Sequence, residues 1–193
     1  MSDTEEYGDE STLWWDARMA AMERVLGKST GTVGHGSVPF HMGAEKGGTA
    51  DIVYFGDHVD GVVCATSELI GCEDQPVNEQ GNYELLIGSR DDKDWGQCII
   101  GQLAHYTLVS ALNPGETMDI GSATPEGSTI AAFLYCDYGR FRVRDREAGL
   151  LLCLGITAEE LSECHAGNRL RVQSALKDAG VYPFTDLYRT SVL

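Results

Sequence analysis

The chain has 193 residues, 42% of them hydrophobic, which is enough for one compact domain with a sizeable core and short for two. Thirty acids oppose 14 bases, giving a formal net charge of −16; such a field repels phosphate and excludes nucleic acid and anionic membrane surfaces as expected partners. No apolar run approaches the ~20 residues of a membrane helix, and the start, MSDTEEYGDE, lacks the basic end and apolar stretch of a secretory signal, so a cytoplasmic protein is expected.

In chain order, residues 1–10 carry five acids and no base, which predicts a disordered acidic tail, with a single domain over 11–193. A first helix is expected after Ser11 and Thr12, with Trp15, Met19, Met22 and Leu26 at helical spacing and Gly27 as its stop. The glycine-rich stretch Lys28–Gly48, with Pro39 at its centre, reads as a long loop around one short strand, Val38–Met42. Strands follow at Ala50–Phe55, Val62–Thr66 and Tyr83–Ile87, separated by turn-forming Asp, Gly, Pro and Asn. Asp94 is placed to cap a second helix running from Trp95 to about Leu112, which Asn113-Pro114-Gly115 ends. In that helix Ile99, Leu103, Tyr106 and Val109 share a face, and Ile100, Leu108 and Ala111 leave little polar surface opposite. This predicts a central helix covered on most sides.

A weaker strand at Met118–Ile120 precedes two stronger ones, Ile130–Cys136 and Ala148–Leu154; the run Leu150–Leu154 suits a strand buried on both faces. Thr157 and Glu160 form a capping-box pattern for a helix that begins at Ala158, breaks near Gly167, resumes with Val172, Leu176 and Ala179, and ends at Gly180. The closing residues are too apolar for a free tail: Val181, Tyr182, Phe184, Leu187, Tyr188, Val192 and Leu193 predict a segment docked on the domain. Its part Thr185–Arg189 reads as a short strand with Leu187 facing the core. The fold class is α+β, a mixed, largely antiparallel sheet of about six or seven strands flanked by helices. The pattern leaves strand order open.

Little in the chain suggests chemistry. The six cysteines form no C-x-x-C pair, so free thiols are expected, with Cys98, Cys136 and Cys153 buried inside apolar segments. Cys164 and His165 are neighbours on a helix and diverge by about a hundred degrees, so they cannot act as a thiolate–imidazole pair. Asp91-Asp92-Lys93-Asp94 lacks the glycine and terminal glutamate of a calcium loop, and Asp57-His58 with Asp60 reads as an exposed turn. No G-x-S-x-G element and no phosphate-cradling loop is present. No catalytic residue, metal ligand or cofactor is therefore predicted.

Charge patterning is more informative. From residue 47 to 89 the chain holds eight acids and no Lys or Arg, which should concentrate negative potential suited to a basic partner. Asp57, Asp60, Glu73 and Asp74 are the candidate contacts. Arg140, Arg142, Arg144 and Arg146 recur at period two, giving an arginine-lined strand face. Edge protection explains this strip, and an interface explains it too, with Arg142 and Arg144 as secondary contacts.

Several short patterns then occur in a fixed order: Gly81 before Tyr83-Glu84-Leu85, Trp95, Leu103-Ala104-His105-Tyr106, Gly155-Ile156-Thr157-Ala158-Glu159-Glu160-Leu161, and Thr185-Asp186-Leu187-Tyr188-Arg189. From about residue 50 to the end this order resembles the Suppressor of fused domain family, in the compact single-domain form found in bacteria. The resemblance implies that Tyr83, Glu84, Leu85, Trp95, Tyr106, Gly155, Glu160, Asp186 and Arg189 are signature positions with structural roles, mostly in the core. It also implies protein binding without catalysis. The leading expectation is an immunity protein that neutralises a cognate, basic toxin by occlusion. A regulatory adaptor sequestering a signalling protein or transcription-factor peptide is the alternative, and a cysteine-dependent hydrolase the third reading.

Overall fold

Strand β7 (Arg146–Thr157) organises the molecule, because its apolar run leaves it no polar face. In the computed structural model, which describes residues 3–90 and 94–193 with side chains from Glu10 onward, alternate residues of β7 enter two different cores. Leu151 and Cys153 point into one, and Leu150, Leu152, Leu154 and Ile156 into the other, all fully buried. Such a strand must sit inside the sheet, and it does. It pairs parallel with β4 (Asn82–Ser89) and antiparallel with β6 (Ile130–Val143).

The sheet has seven strands in the order β1-β2-β3-β4-β7-β6-β5. Its outer members are β1 (Val33–Gly34), β2 (Ile52–Phe55) and β3 (Val62–Thr66) on one side and β5 (Thr117–Asp119) on the other. Every neighbouring pair but β4–β7 is antiparallel, so the expected mixed, largely antiparallel α+β sheet is present. Helix α1 (Asp3–Leu26) covers one face through Met22 and Leu26, together with Val172 and Leu176 of α4 (Arg169–Asp178). Helix α2 (Trp95–Tyr106) covers the other through Ile100 and Ala104.

Helix α1 starts earlier than expected. It begins at Asp3, so Ser11 and Thr12 lie within it rather than capping it, and it takes in residues expected as a tail. The expected strand Val38–Met42 is absent; Phe40–Met42 and Ala44–Lys46 are short 3₁₀ turns, and Pro39 makes only an isolated bridge to Thr49. The carboxylates Asp91 and Asp92 and the ammonium of Lys93 lie outside the described residues.

Helix α2 also departs from expectation. It ends at Tyr106, where Thr107 turns its hydroxyl back to donate to the Ala104 carbonyl at 2.7 Å. Only the stripe Gly96, Ile100, Gly101 and Ala104 is buried; Cys98 and Tyr106 are exposed. The helix therefore packs by one narrow face of small residues, not on most sides. A Cβ at Gly96 would lie 3.3 Å from Ile87, so the bare backbone sits close to β4.

Helix α3 (Ala158–Glu163) opens with the predicted capping box: the Glu160 N–H donates to Thr157 Oγ1 at 3.4 Å and the Thr157 N–H donates to Glu160 Oε2 at 2.9 Å. A wider turn, Cys164–Asn168, joins it to α4, with Gly167 at φ +90° as the break. The C-terminal segment docks as expected, burying Phe184, Thr185, Leu187 and Arg189. It does so as a turn-rich strap with one bridge, Gly88 to Phe184, rather than as a strand.

Candidate functional site

The signature positions are mainly structural, and two buried carboxylates explain why. Glu84, on β4, is fully buried and accepts from Thr66 Oγ1 (2.6 Å) and from the Leu69 and Ile70 N–H groups (2.9 Å each). Arg18 of α1 supplies its counter-charge at 3.7 Å. Glu160, also fully buried, receives both terminal nitrogens of Arg189 at 2.6 and 2.5 Å, and the Val192 N–H at 3.0 Å. Burial pushes the Glu160 carboxyl up, but the Arg189 guanidinium and the Thr157 and Val192 N–H groups outweigh it and hold it below the usual 4.5. One carboxylate thus ties the first helix to the sheet and the other ties the last segment.

The remaining signature residues serve the same ends. Tyr83 is fully buried and accepts the Leu112 N–H at 2.8 Å; burial pushes its hydroxyl up to about 12. Leu85 is core, and Trp95 is half-buried, donating its Nε1–H to the Ala123 carbonyl at 2.8 Å. Gly155 donates to Thr185 Oγ1 at 2.8 Å and its carbonyl accepts from Arg189; a Cβ there would meet Thr185 at 2.5 Å. Asp186 is exposed and accepts the Tyr188 N–H at 3.1 Å in a local turn. Tyr106 is the exception: 46% of it is exposed, not core as the resemblance implied.

The four candidate acids do not form one surface. Asp57 and Asp60 lie in the β2–β3 turn, whereas Glu73 and Asp74 follow β3 at its opposite end. The length of β3 alone separates the pairs by about 13 Å, at ~3.3 Å per residue. All four are exposed. Glu73 is neutralised by Arg146 at 3.4 Å; Asp57, Asp60 and Asp74 take part in no ion pair among the described residues.

Asp57 and Asp60 keep company that the sequence did not reveal. The β2–β3 turn abuts the C-terminal strap, since a Cβ on Gly61 would lie 2.5 Å from the Ser89 carbonyl and 2.7 Å from Phe184. Asp94, Glu126 and Asp186, all exposed, belong to the same end of the sheet, where β4 and β7 both terminate. Asp186 lines a cavity of about 180 Å³ at this end, walled by Ile87, Trp95, Phe184 and Leu187, with Arg90 also on its wall, over the Phe184 ring at 4.2 Å. These acids come from four separate segments, so only folding places them at the same end of the sheet.

The arginine strip sits at the other end and is paired throughout. Arg140 bonds Asp137 (2.6 Å) and Glu79 (2.9 Å), Arg142 lies 3.2 Å from Glu147, and Arg144 pairs with Glu10. Trp14 of α1 takes the Arg144 and Arg146 guanidinium groups near its ring at 4.9 and 5.3 Å. Strand β6 continues past the reach of β5, which pairs only with Ala132–Leu134, and a register shift falls between Asp137 and Gly139. Charges and a bulge along an outer strand blunt it against further pairing. The geometry therefore favours edge protection for Arg142 and Arg144.

Three of the six thiols are held in their neutral form. All six cysteines are free. Burial pushes the Cys136 thiol up to about 11 and raises Cys153 and Cys164 as well, so these thiols are not ionised at neutral pH. Cys98 is exposed on α2, not buried as its apolar neighbours suggested. Burial lowers the His58 pKa, and that ring lies 2.7 Å from the Tyr138 hydroxyl. Among the described residues there is no cluster of three or more His, Cys, Asp or Glu able to hold a metal. No described helix is long and apolar enough to cross a membrane.

No family model matches the sequence and no curated protein matches it; the likeness is to solved structures. A SUFU (suppressor of fused protein) homologue from Neisseria gonorrhoeae superposes with a TM-score of 0.67 at 14% identity, covering 93% of this chain and 97% of that one. A chain of the Sufu–Fu complex gives 0.73 at 13% identity, covering 92% of this chain and 91% of that one. Drosophila Suppressor of Fused gives 0.57 at 12% identity over 75% of this chain and 43% of that one, so this chain spans less than half of the fly protein. At these identities the likeness is one of architecture, reached by an order of elements that the sequence patterns also follow. The chain has the Suppressor of fused-like fold.

Proposed function

We propose that this chain is a non-catalytic protein-binding domain that acts by covering its partner, with the acidic end around Asp57 and Asp60 as the contact surface. The observation that carries this reading is that Asp57, Asp60, Asp94, Glu126 and Asp186 are all exposed in segments at one end of the sheet, with Asp186 lining an aromatic-walled cavity. Exposed acids without paired bases are suited to a basic surface and raise the rate of encounter with it. A chain of similar fold has been solved as a Sufu–Fu complex, which supports binding as the mode of action.

The partner is a cognate toxin with a basic active surface, and the domain neutralises it by occlusion. The regulatory adaptor is the second reading. It draws its support from the fold, whereas the blunted β6 edge removes the simplest strand-addition site from it. Co-expression tests the first reading. A toxin encoded beside this chain should stop growth alone and lose that effect when the chain is present. The Asp57→Asn/Asp60→Asn variant should protect markedly less, while Glu73→Gln should protect fully. Equal protection by all three proteins would reject the acidic end.

A further inference from the structure

A second surface lies at the β5 edge of the sheet, between the end of α2 and the start of α4, and its features do not belong to the acidic end. Two adjoining cavities of about 630 and 240 Å³ open there, and both are lined by Gly115 and Arg169. A Cβ at Gly115 would approach Arg169 Nε at 3.4 Å, so the arginine stem lies across bare backbone and divides one groove from the other. Tyr106 and Met118 wall the first cavity; Leu170 and Tyr182 wall the second.

Two exposed large apolar side chains line these cavities, Tyr106 (46% exposed) and Leu170 (75%), and a third, Val109 (83%), lies in the turn after α2 next to the lining residue Ser110. Leaving such residues in water at one place has a cost that a bound partner removes. The break at Gly167 (φ +90°) resets the helix so that Arg169 and Leu170 open α4 side by side above the groove. Arg169 takes part in no ion pair or hydrogen bond among the described residues, although acids outnumber bases two to one along the chain. The other charged groups on the walls are engaged: Glu116 by the Asn113 N–H and side-chain amide at 2.9 and 3.1 Å, Asp137 by Arg140 at 2.6 Å and Gln80 at 2.7 Å, and Lys177 over the Tyr182 ring at 4.9 Å.

We infer that this groove is a docking site for a short apolar segment of a partner protein that carries a single carboxylate, which Arg169 receives while Tyr106, Val109 and Leu170 cover the apolar side chains flanking it. The arginine fork supplies a bidentate, charge-assisted contact to that carboxylate. The −16 net charge argues against a polyacidic occupant, because the long-range field repels it before the local contact forms. Like the proposed function, this inference takes the chain to be a protein binder, but it does not depend on Asp57 or Asp60.

Panning a phage-displayed library of random linear peptides against the full chain tests it. Enriched peptides should carry one Asp or Glu among apolar residues. Binding of the synthetic peptide should fall at least tenfold in Arg169→Glu and in Leu170→Glu, and likewise when the peptide acid becomes the amide. Arg169→Lys should recover part of the loss, and Asp57→Asn/Asp60→Asn should bind the peptide as wild type does. These side chains are exposed, so unchanged melting temperatures will confirm that the variants fold. Failure to enrich any peptide, enrichment without an acid, or equal binding by Arg169→Glu overturns the groove. Loss in the Asp57→Asn/Asp60→Asn variant alone overturns it in favour of the acidic end.

Discussion

Arg189 and Glu160 meet in a place where neither charge has water to fall back on: their side chains are 7% and 0% exposed. Removing one member of such a pair strands the other, at a cost of about 3–5 kcal/mol. Arg189→Met should therefore lower the unfolding free energy by that order in a urea titration, and a loss under ~1 kcal/mol would show the pair to be incidental. The pair also sets an acid limit. The Glu160 pKa is depressed in the folded state, so its contribution is fully present above the ordinary value of 4.5 and is lost as pH falls through the lower folded value. Stability measured from pH 6 downwards should therefore decline more shallowly below about pH 4.5 in Glu160→Gln than in wild type, because that variant lacks the titrating group. Gly155→Ala probes the same corner without charge. Its new methyl would press on Thr185 at 2.5 Å, and an overpacking loss of about 1–3 kcal/mol is expected.

Among the elements, the C-terminal strap has the largest effect relative to its regularity. It buries Phe184 and Leu187, and at ~1.5–3 kcal/mol for each large side chain deletion of residues 181–193 should cost several kcal/mol; melting at the wild-type temperature would contradict this. The strap's docking was legible because its apolar residues had nowhere else to go, yet its form was not, since one bridge and several side-chain bonds leave no periodic trace. Strand β3 was readable to the residue and the centre of β7 with it, because their apolar runs match the pleat or fill both faces; β7 runs past the expected Ala148–Leu154 at both ends, to Arg146 and Thr157. Helix α2 misled because hydrophobicity all round it does not say which sides have a neighbouring layer. The sheet supplies a layer on one side only, so Cys98 and Tyr106 face outward. Thiol labelling of the native protein checks that arrangement: Cys98 should react promptly and Cys136 and Cys153 only on unfolding. Prompt reaction of Cys153 would mean that β7 is not the central strand.

For the molecule as a whole, the net charge was legible in the composition but its distribution was not. Four candidate acids close in sequence part to opposite ends of β3, while Asp94 and Asp186, read singly as a cap and a signature, and Glu126, which no sequence pattern singled out, lie at the same end as Asp57 and Asp60. The arginines, regular along the chain, are each paired with an acid that lies elsewhere in the sequence or across the hairpin. A binding surface is thus a property of the tertiary arrangement, and no single segment encodes it. The two ends make different predictions under salt, since unpaired exposed charges are screened with a Debye length of ~10 Å at 0.1 M. The decisive measurement is the dissociation constant for the partner that co-purifies from the host, taken at low and high salt. Wild type should weaken steeply as salt rises. Asp57→Asn/Asp60→Asn should bind at least tenfold more weakly at low salt and lose most of that dependence, with Glu73→Gln/Asp74→Asn close to wild type. An affinity indifferent to salt, or unchanged by the first pair of substitutions, would contradict the account.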